Sequence, residues 1–157
     1  MGHSIRAIIG KHGVTQRMAA DWVKMKVIQL PQDYGMIFLT DVLLDNIMEL
    51  LEATEPEPND GLDFFDQLAG AAPVAAMLLR TYSFRERLIY IETDYFGGAG
   101  TQAGVLYENG KAVIGPQSGE GTIDRLLRKL GVWCKPGQDE FDALGLGKYR
   151  RMDKWVL

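Results

Sequence analysis

The chain has 157 residues, 46% hydrophobic and 24% charged, which is room for one domain with a core and too little for two ordinary ones. Its formal net charge of −4 argues against nucleic acid or an anionic membrane surface as the main partner, since both reward a basic face. A lone cysteine, Cys134, excludes an internal disulfide, and no apolar run approaches the ~20 residues of a membrane helix, so the expectation is a cytoplasmic protein without a membrane partner.

Ser4 to Gly10 (SIRAIIG) alternates and then runs apolar, which predicts a strand, and the glycines at 10 and 13 turn the chain out of it. Thr15 can cap a helix over roughly residues 15 to 24, with Met18, Trp22 and Met25 at helical spacing. Lys26 to Leu30 and Tyr34 to Leu39 are strand candidates separated by Pro31, Gln32 and Asp33. Thr40 then caps a second helix, whose buried stripe is Leu43, Leu44, Ile47, Met48 and Leu51.

Ala53 to Gly61 (ATEPEPNDG) carries two prolines and three acids, which predicts an exposed, mobile loop within one domain spanning residues 1–157. Leu62 to Leu68 reads as a short helix, and Pro73 starts a largely buried one. Arg85 to Gly115 then reads as a three-stranded antiparallel meander. Asn109-Gly110 supplies the type I′ turn of its second hairpin and sets Glu108 against Lys111, Tyr107 against Ala112 and Leu106 against Val113. After a loop to Gly121, Thr122 caps the cleanest amphipathic helix, with Ile123, Leu126, Leu127 and Leu130 on one face and Gly131 ending it. The last twenty residues offer one helical turn around Asp139 to Leu144 and a basic, aromatic tail. The fold class is therefore α+β: a mixed or antiparallel sheet containing the meander, with the N-terminal strand in the same sheet and about four helices packed on it.

No stretch carries a catalytic signature. Gly98, Gly100 and Ala103 formally match a dinucleotide fingerprint, but that motif needs a helix after it and here a strand follows. Glu92 and Asp94 share one strand face about 6.5 to 7 Å apart, a spacing from which two carboxylates can divide acid and base roles, although a solvated acidic patch is the simpler reading. His3 and His12 are separated by a strand and do not predict a shared metal, and Cys134 reads as an ordinary half-buried thiol. Lys148, Arg150, Arg151 and Lys154 read as solvated charges on a tail packed through Tyr149, Met152 and Trp155.

Tyr95-Phe96-Gly97-Gly98-x-Gly100-x-Gln102, followed by Asn109-Gly110, then Ile123-Asp124-x-Leu126-Leu127 with Leu130-Gly131-Val132, then Glu140-Phe141-Asp142-x-Leu144-Gly145-Leu146, resembles a group of small bacterial cytoplasmic proteins. Some of these look like the immunity proteins of polymorphic-toxin and contact-dependent competition systems. The resemblance implies a protein that binds and neutralises a cognate toxin, and it carries over no catalytic residue. The expectation is a non-enzymatic binding protein whose partner is a protein, such as a basic toxin domain, with no cofactor, metal or nucleic acid. Its binding surface is expected at Tyr90, Glu92, Asp94, Tyr95, Phe96, Gly97, Gly98, Gly100 and Gln102: acids steer the encounter and aromatics anchor it. A small hydrolase or ligand-binding protein with its site at the meander and its glycine-rich loop is the alternative, and it requires a pocket lined by perturbed titratable groups.

Overall fold

Side chains alternate along a strand, yet in the first strand both faces are apolar and buried: Ile5, Ala7 and Ile9 on one, Ile8 on the other. Such a strand has to be covered on both sides. In the structure, a computed structural model that describes residues 2–51 and 58–155, this strand, β1 (His3–Lys11), lies inside a six-stranded antiparallel sheet. The others are β2 (Ile28–Leu30), β3 (Tyr34–Phe38), β4 (Arg87–Phe96), β5 (Ala99–Glu108) and β6 (Lys111–Ser118), in the spatial order β2-β3-β1-β4-β5-β6. The N-terminal strand and the meander therefore share one sheet, through a β1–β4 ladder that pairs His3 with Tyr95 and Gly10 with Leu88.

Three helices cover one face: α1 (His12–Asp21), α2 (Asp41–Leu50) and α3 (Ala72–Tyr82). They pack Met18, Ile47, Ala75 and Leu79 against Ile8, Tyr90, Val105 and Tyr107. The opposite face carries α4 (Thr122–Leu130) and α5 (Glu140–Ala143), with Leu126, Leu127, Leu144 and Tyr149 on Ile5, Ile9, Ile89 and Ile91. The basic tail crosses this face, where Tyr149 stacks edge-on against Phe38 and Trp155 against Tyr149. The α+β class holds: among the described residues an antiparallel sheet carries five α-helices in two layers around it.

Several local expectations shift, each for a physical reason. The first helix begins at His12, directly from β1, and Thr15 lies inside it with its hydroxyl donating to the His12 carbonyl instead of capping. Thr40 does cap α2, accepting from Leu43 N–H. Met48, expected on the buried stripe, is exposed. Residues 62–68 form only a three-residue turn of 3₁₀ helix, Leu62–Phe64, ending where Phe65 turns its ring into the core. At α4 the cap position belongs to Gly121, and Thr122 is the first helical residue. Asn109 and Gly110 both have positive φ, as a type I′ turn requires, and Glu108–Lys111 and Tyr107–Ala112 pair as expected. A bulge then moves Leu106 onto Ile114 instead of Val113. Of the acidic loop, residues 53–57 lie outside the described residues. Its far end is tied down, since Asp60 accepts from both Arg80 and the Tyr107 hydroxyl.

Candidate functional site

The sheet end where β1, β4 and β5 finish gathers the residues singled out from the sequence and divides them among three environments. The first is the hairpin tip. Gly97 and Gly98 both have positive φ and form a two-residue turn between the paired residues Phe96 and Ala99. Glycine at position 100 serves packing instead: a Cβ there would stand 2.1 Å from the Asp94 carbonyl oxygen. The tight turn and ladder hold Phe96 outward, and it remains 84% exposed. Asp94 is exposed beside it, and Glu120 lines the same depression as Tyr95 and Gly98. The fingerprint-like glycines thus sit in a hairpin with no helix following, so no set of helix N–H groups faces a phosphate there.

The second environment is the interior of the three-helix face, which takes Tyr90 and Glu92. Alternation correctly places Glu92 on the same face as Asp94, but the acidic patch shrinks to Asp94 alone. Glu92 is 6% exposed, because β4 runs beneath the 62–71 segment there, and Gln67 donates to the neighbouring Thr93 carbonyl. The Tyr90 hydroxyl donates to Glu92 Oε2 at 2.7 Å. Burial pushes the Glu92 carboxyl above its usual range, against the pull of the Tyr90 hydroxyl and the Gln67 backbone N–H. The same burial, with the Glu92 charge, pushes the Tyr90 phenol well up. Arg6, paired with Glu92 in the β1–β4 ladder, sends its guanidinium to the Leu39 and Gln67 carbonyls and to Asp41. This polar cluster joins β1, β4, α2 and the 62–71 segment; Tyr90, Glu92 and Arg6 are buried within it, and Asp41 reaches solvent.

The third environment is a cavity of about 250 Å³ on the opposite face, between β4, β5 and the two helices. Tyr95 and Gln102 reach it. Gln102 spans the β4–β5–α4 junction, donating to the Tyr95 hydroxyl at 3.0 Å and accepting the Ile123 N–H, a free donor of the first turn of α4, at 2.8 Å. The remaining walls come from residues that the sequence reading did not select: His3 and Thr93 from the strands, Ile123 and Asp124 from α4, and Asp139 and Phe141 at the start of α5. His3 Nε2–H donates to the Leu146 carbonyl, so in the neutral ring Nδ1 accepts from the Thr93 hydroxyl at 2.7 Å, while Thr93 Oγ1 takes the Ile5 N–H. Burial, assisted by the positive charge of Arg150, holds the imidazole below its ordinary pKa, although the Leu146 bond pulls the other way. The His3 ring packs against Phe141 with centroids 5.4 Å apart.

The His3–Thr93 pair in this pocket does not have the layout of a nucleophile and its base. Both His3 nitrogens are committed, and Thr93 is buried with its oxygen already bonded twice. Among the described residues no group of three or more His, Cys, Asp or Glu side chains is arranged to hold a metal ion. Cys134 lies near Glu140, which with burial raises the thiol pKa and so disfavours the nucleophilic thiolate. Among the described residues no helix is long and apolar enough to cross a membrane. In comparisons with known proteins, no family model, no curated protein and no solved structure matches this chain.

Proposed function

We propose that this chain is a non-enzymatic binding protein that occludes a protein partner, of the class its sequence resemblance implies, a bacterial toxin domain. The observation that supports the reading best is Phe96. This large aromatic side chain, 84% exposed, flanks a two-residue turn at the end of three paired strands, where it is presented to a partner. A rigid aromatic anchor loses little conformational freedom on binding, which is what interface hot spots require. Asp94 on the same strand and Glu120 beside the hairpin glycines, with the overall charge of −4, favour a partner whose facing surface is basic.

The test is protection. The chain is co-expressed with toxin domains encoded beside it, and growth is followed with and without Phe96→Asp. The reading predicts that the native chain restores growth and that Phe96→Asp abolishes protection without lowering the melting temperature. Protection that survives Phe96→Asp unchanged would remove the hairpin tip from the interface. No protection against any neighbouring toxin would remove the toxin class.

A further inference from the structure

The cavity beside His3 is lined by two carboxylates, those of Asp124 and Asp139. Asp124 Oδ1 accepts the Phe141 N–H and Asp139 Oδ1 accepts the Asp142 N–H. Among the described residues neither carboxylate forms an ion pair. Of the nearby cations, Arg125 donates to the Glu120 carbonyl and the Thr122 hydroxyl, Arg128 pairs with Glu140 while also drawing on Asp124, and Arg150 acts on His3 without an ion pair to either aspartate. Burial first, then the charges of Asp139 and Glu140, hold the Asp124 carboxyl above its usual range, against the pull of the Phe141 N–H and Arg128. A positive group entering here would relieve that repulsion. Phe141 and Tyr95 contribute aromatic rings to the same lining.

We propose that this cavity receives the guanidinium of one arginine side chain presented by the protein partner. Its volume of about 250 Å³ lies below the roughly 300–1,000 Å³ of ordinary small-molecule pockets and suits a single long side chain. Two carboxylates beside aromatic rings match a planar, forked cation that can donate to acids and stack at once, whereas an ammonium cannot stack in that way. The cavity shares Tyr95 and Gln102 with the neighbouring depression lined by Gly98 and Glu120, so one partner surface can span both. The source of the side chain rests on the binding reading above, while the site itself does not.

The probe is N-acetyl-arginine amide, titrated into the folded chain and followed by amide and side-chain NMR shifts, with the uncharged isostere N-acetyl-citrulline amide alongside. The proposal predicts saturable shifts centred on the Gln102 side chain and the Ile123 and Phe141 amides, weakened by salt, with little response to citrulline. In the double variant Asp124→Asn, Asp139→Asn both backbone caps persist through the retained Oδ1, and binding should weaken about tenfold or more, the scale of losing a charge-assisted hydrogen bond. The variant's own amide spectrum reports that it is folded, and if the pair does not fold, Asp139→Asn alone at the exposed mouth carries the comparison. Absence of saturable shifts, or equal shifts from citrulline, overturns the proposal. Arginine binding without toxin protection would sink the toxin reading and leave the site standing, and protection without arginine binding would do the reverse.

Discussion

Tyr90 and Glu92 stand two residues apart on one face of β4, and the tyrosine hydroxyl is the donor that accompanies the glutamate into the core, 2.7 Å from Oε2. A carboxyl whose native pKa is raised binds more protons folded than unfolded between the two values. Stability therefore falls as pH rises from about 4.5 through the raised native value. Glu92→Gln should flatten this dependence, and in urea unfolding at pH 5 and pH 8 its advantage over the native chain should grow with pH. Tyr90→Phe removes a donor from a buried acceptor and should cost about 1–3 kcal/mol at pH 8. In the double variant the two effects should not add, because they act on one bond.

Arg6 ties together three segments that no local sequence pattern connects. Arg6→Ala leaves the Leu39 and Gln67 carbonyls without this donor. The expected loss is about 2–4 kcal/mol, since each buried acceptor left unsatisfied costs about 1–3 kcal/mol. Arg6→Lys should recover little, because an ammonium cannot reproduce the fork. Asp41→Asn should have almost no effect in the same denaturation experiment, as the Asp41 side chain is largely exposed and its ion pair is screened.

These two clusters mark where sequence reasoning stops. The meander was legible because Asn109-Gly110 and the flanking alternation are local signals, and the face shared by Glu92 and Asp94 follows from the strand period alone. What covers that face is a long-range fact. Glu92 is buried by a segment about 25 residues upstream whose apolar residues suggest a helix and whose geometry is two short 3₁₀ turns, Leu62–Phe64 and Ala69–Ala71. The bulge that moves Leu106 onto Ile114 likewise leaves no mark in the alternation. Of the cavity, Tyr95 and Gln102 could be chosen because they flank a glycine-rich turn. His3, Thr93, Asp124 and Asp139 come from four separate stretches and converge only once β1 pairs with β4 and α4 and α5 pack on them.

His3 should make the fold sensitive to mild acid. Its imidazole is held neutral, with a native pKa below the ordinary 6.5, so below that value the unfolded chain binds the extra proton. Stability from this group is lost as pH falls from about 6.5 through the native value. Thermal melts at pH 7.5 and pH 5.5 should show a larger drop for the native chain than for His3→Gln. An equal drop in the two would mean that the imidazole is not held neutral.

Gly100 separates packing from binding at the glycine-rich turn. Gly100→Ala drives a methyl into the Asp94 and Tyr95 backbone and should destabilise by about 1–3 kcal/mol, the range of overpacking. At Gly98 a Cβ meets no atom within 4 Å, so Gly98→Ala is limited to the strain of its φ of +81°. A smaller loss in melting temperature for Gly98→Ala than for Gly100→Ala checks this.

The central claim, that the hairpin tip is an interface, is tested most directly by replacing Phe96 with a photo-crosslinking phenylalanine in cells that make the chain and its partner. Position 23 is the control: Val23 is 96% exposed, so it measures exposure without the proposed role. The account predicts one discrete adduct of the chain with a basic protein from position 96 and none from position 23. An adduct from position 23 alone, or no adduct from position 96 in cells that the chain protects from the toxin, would contradict it.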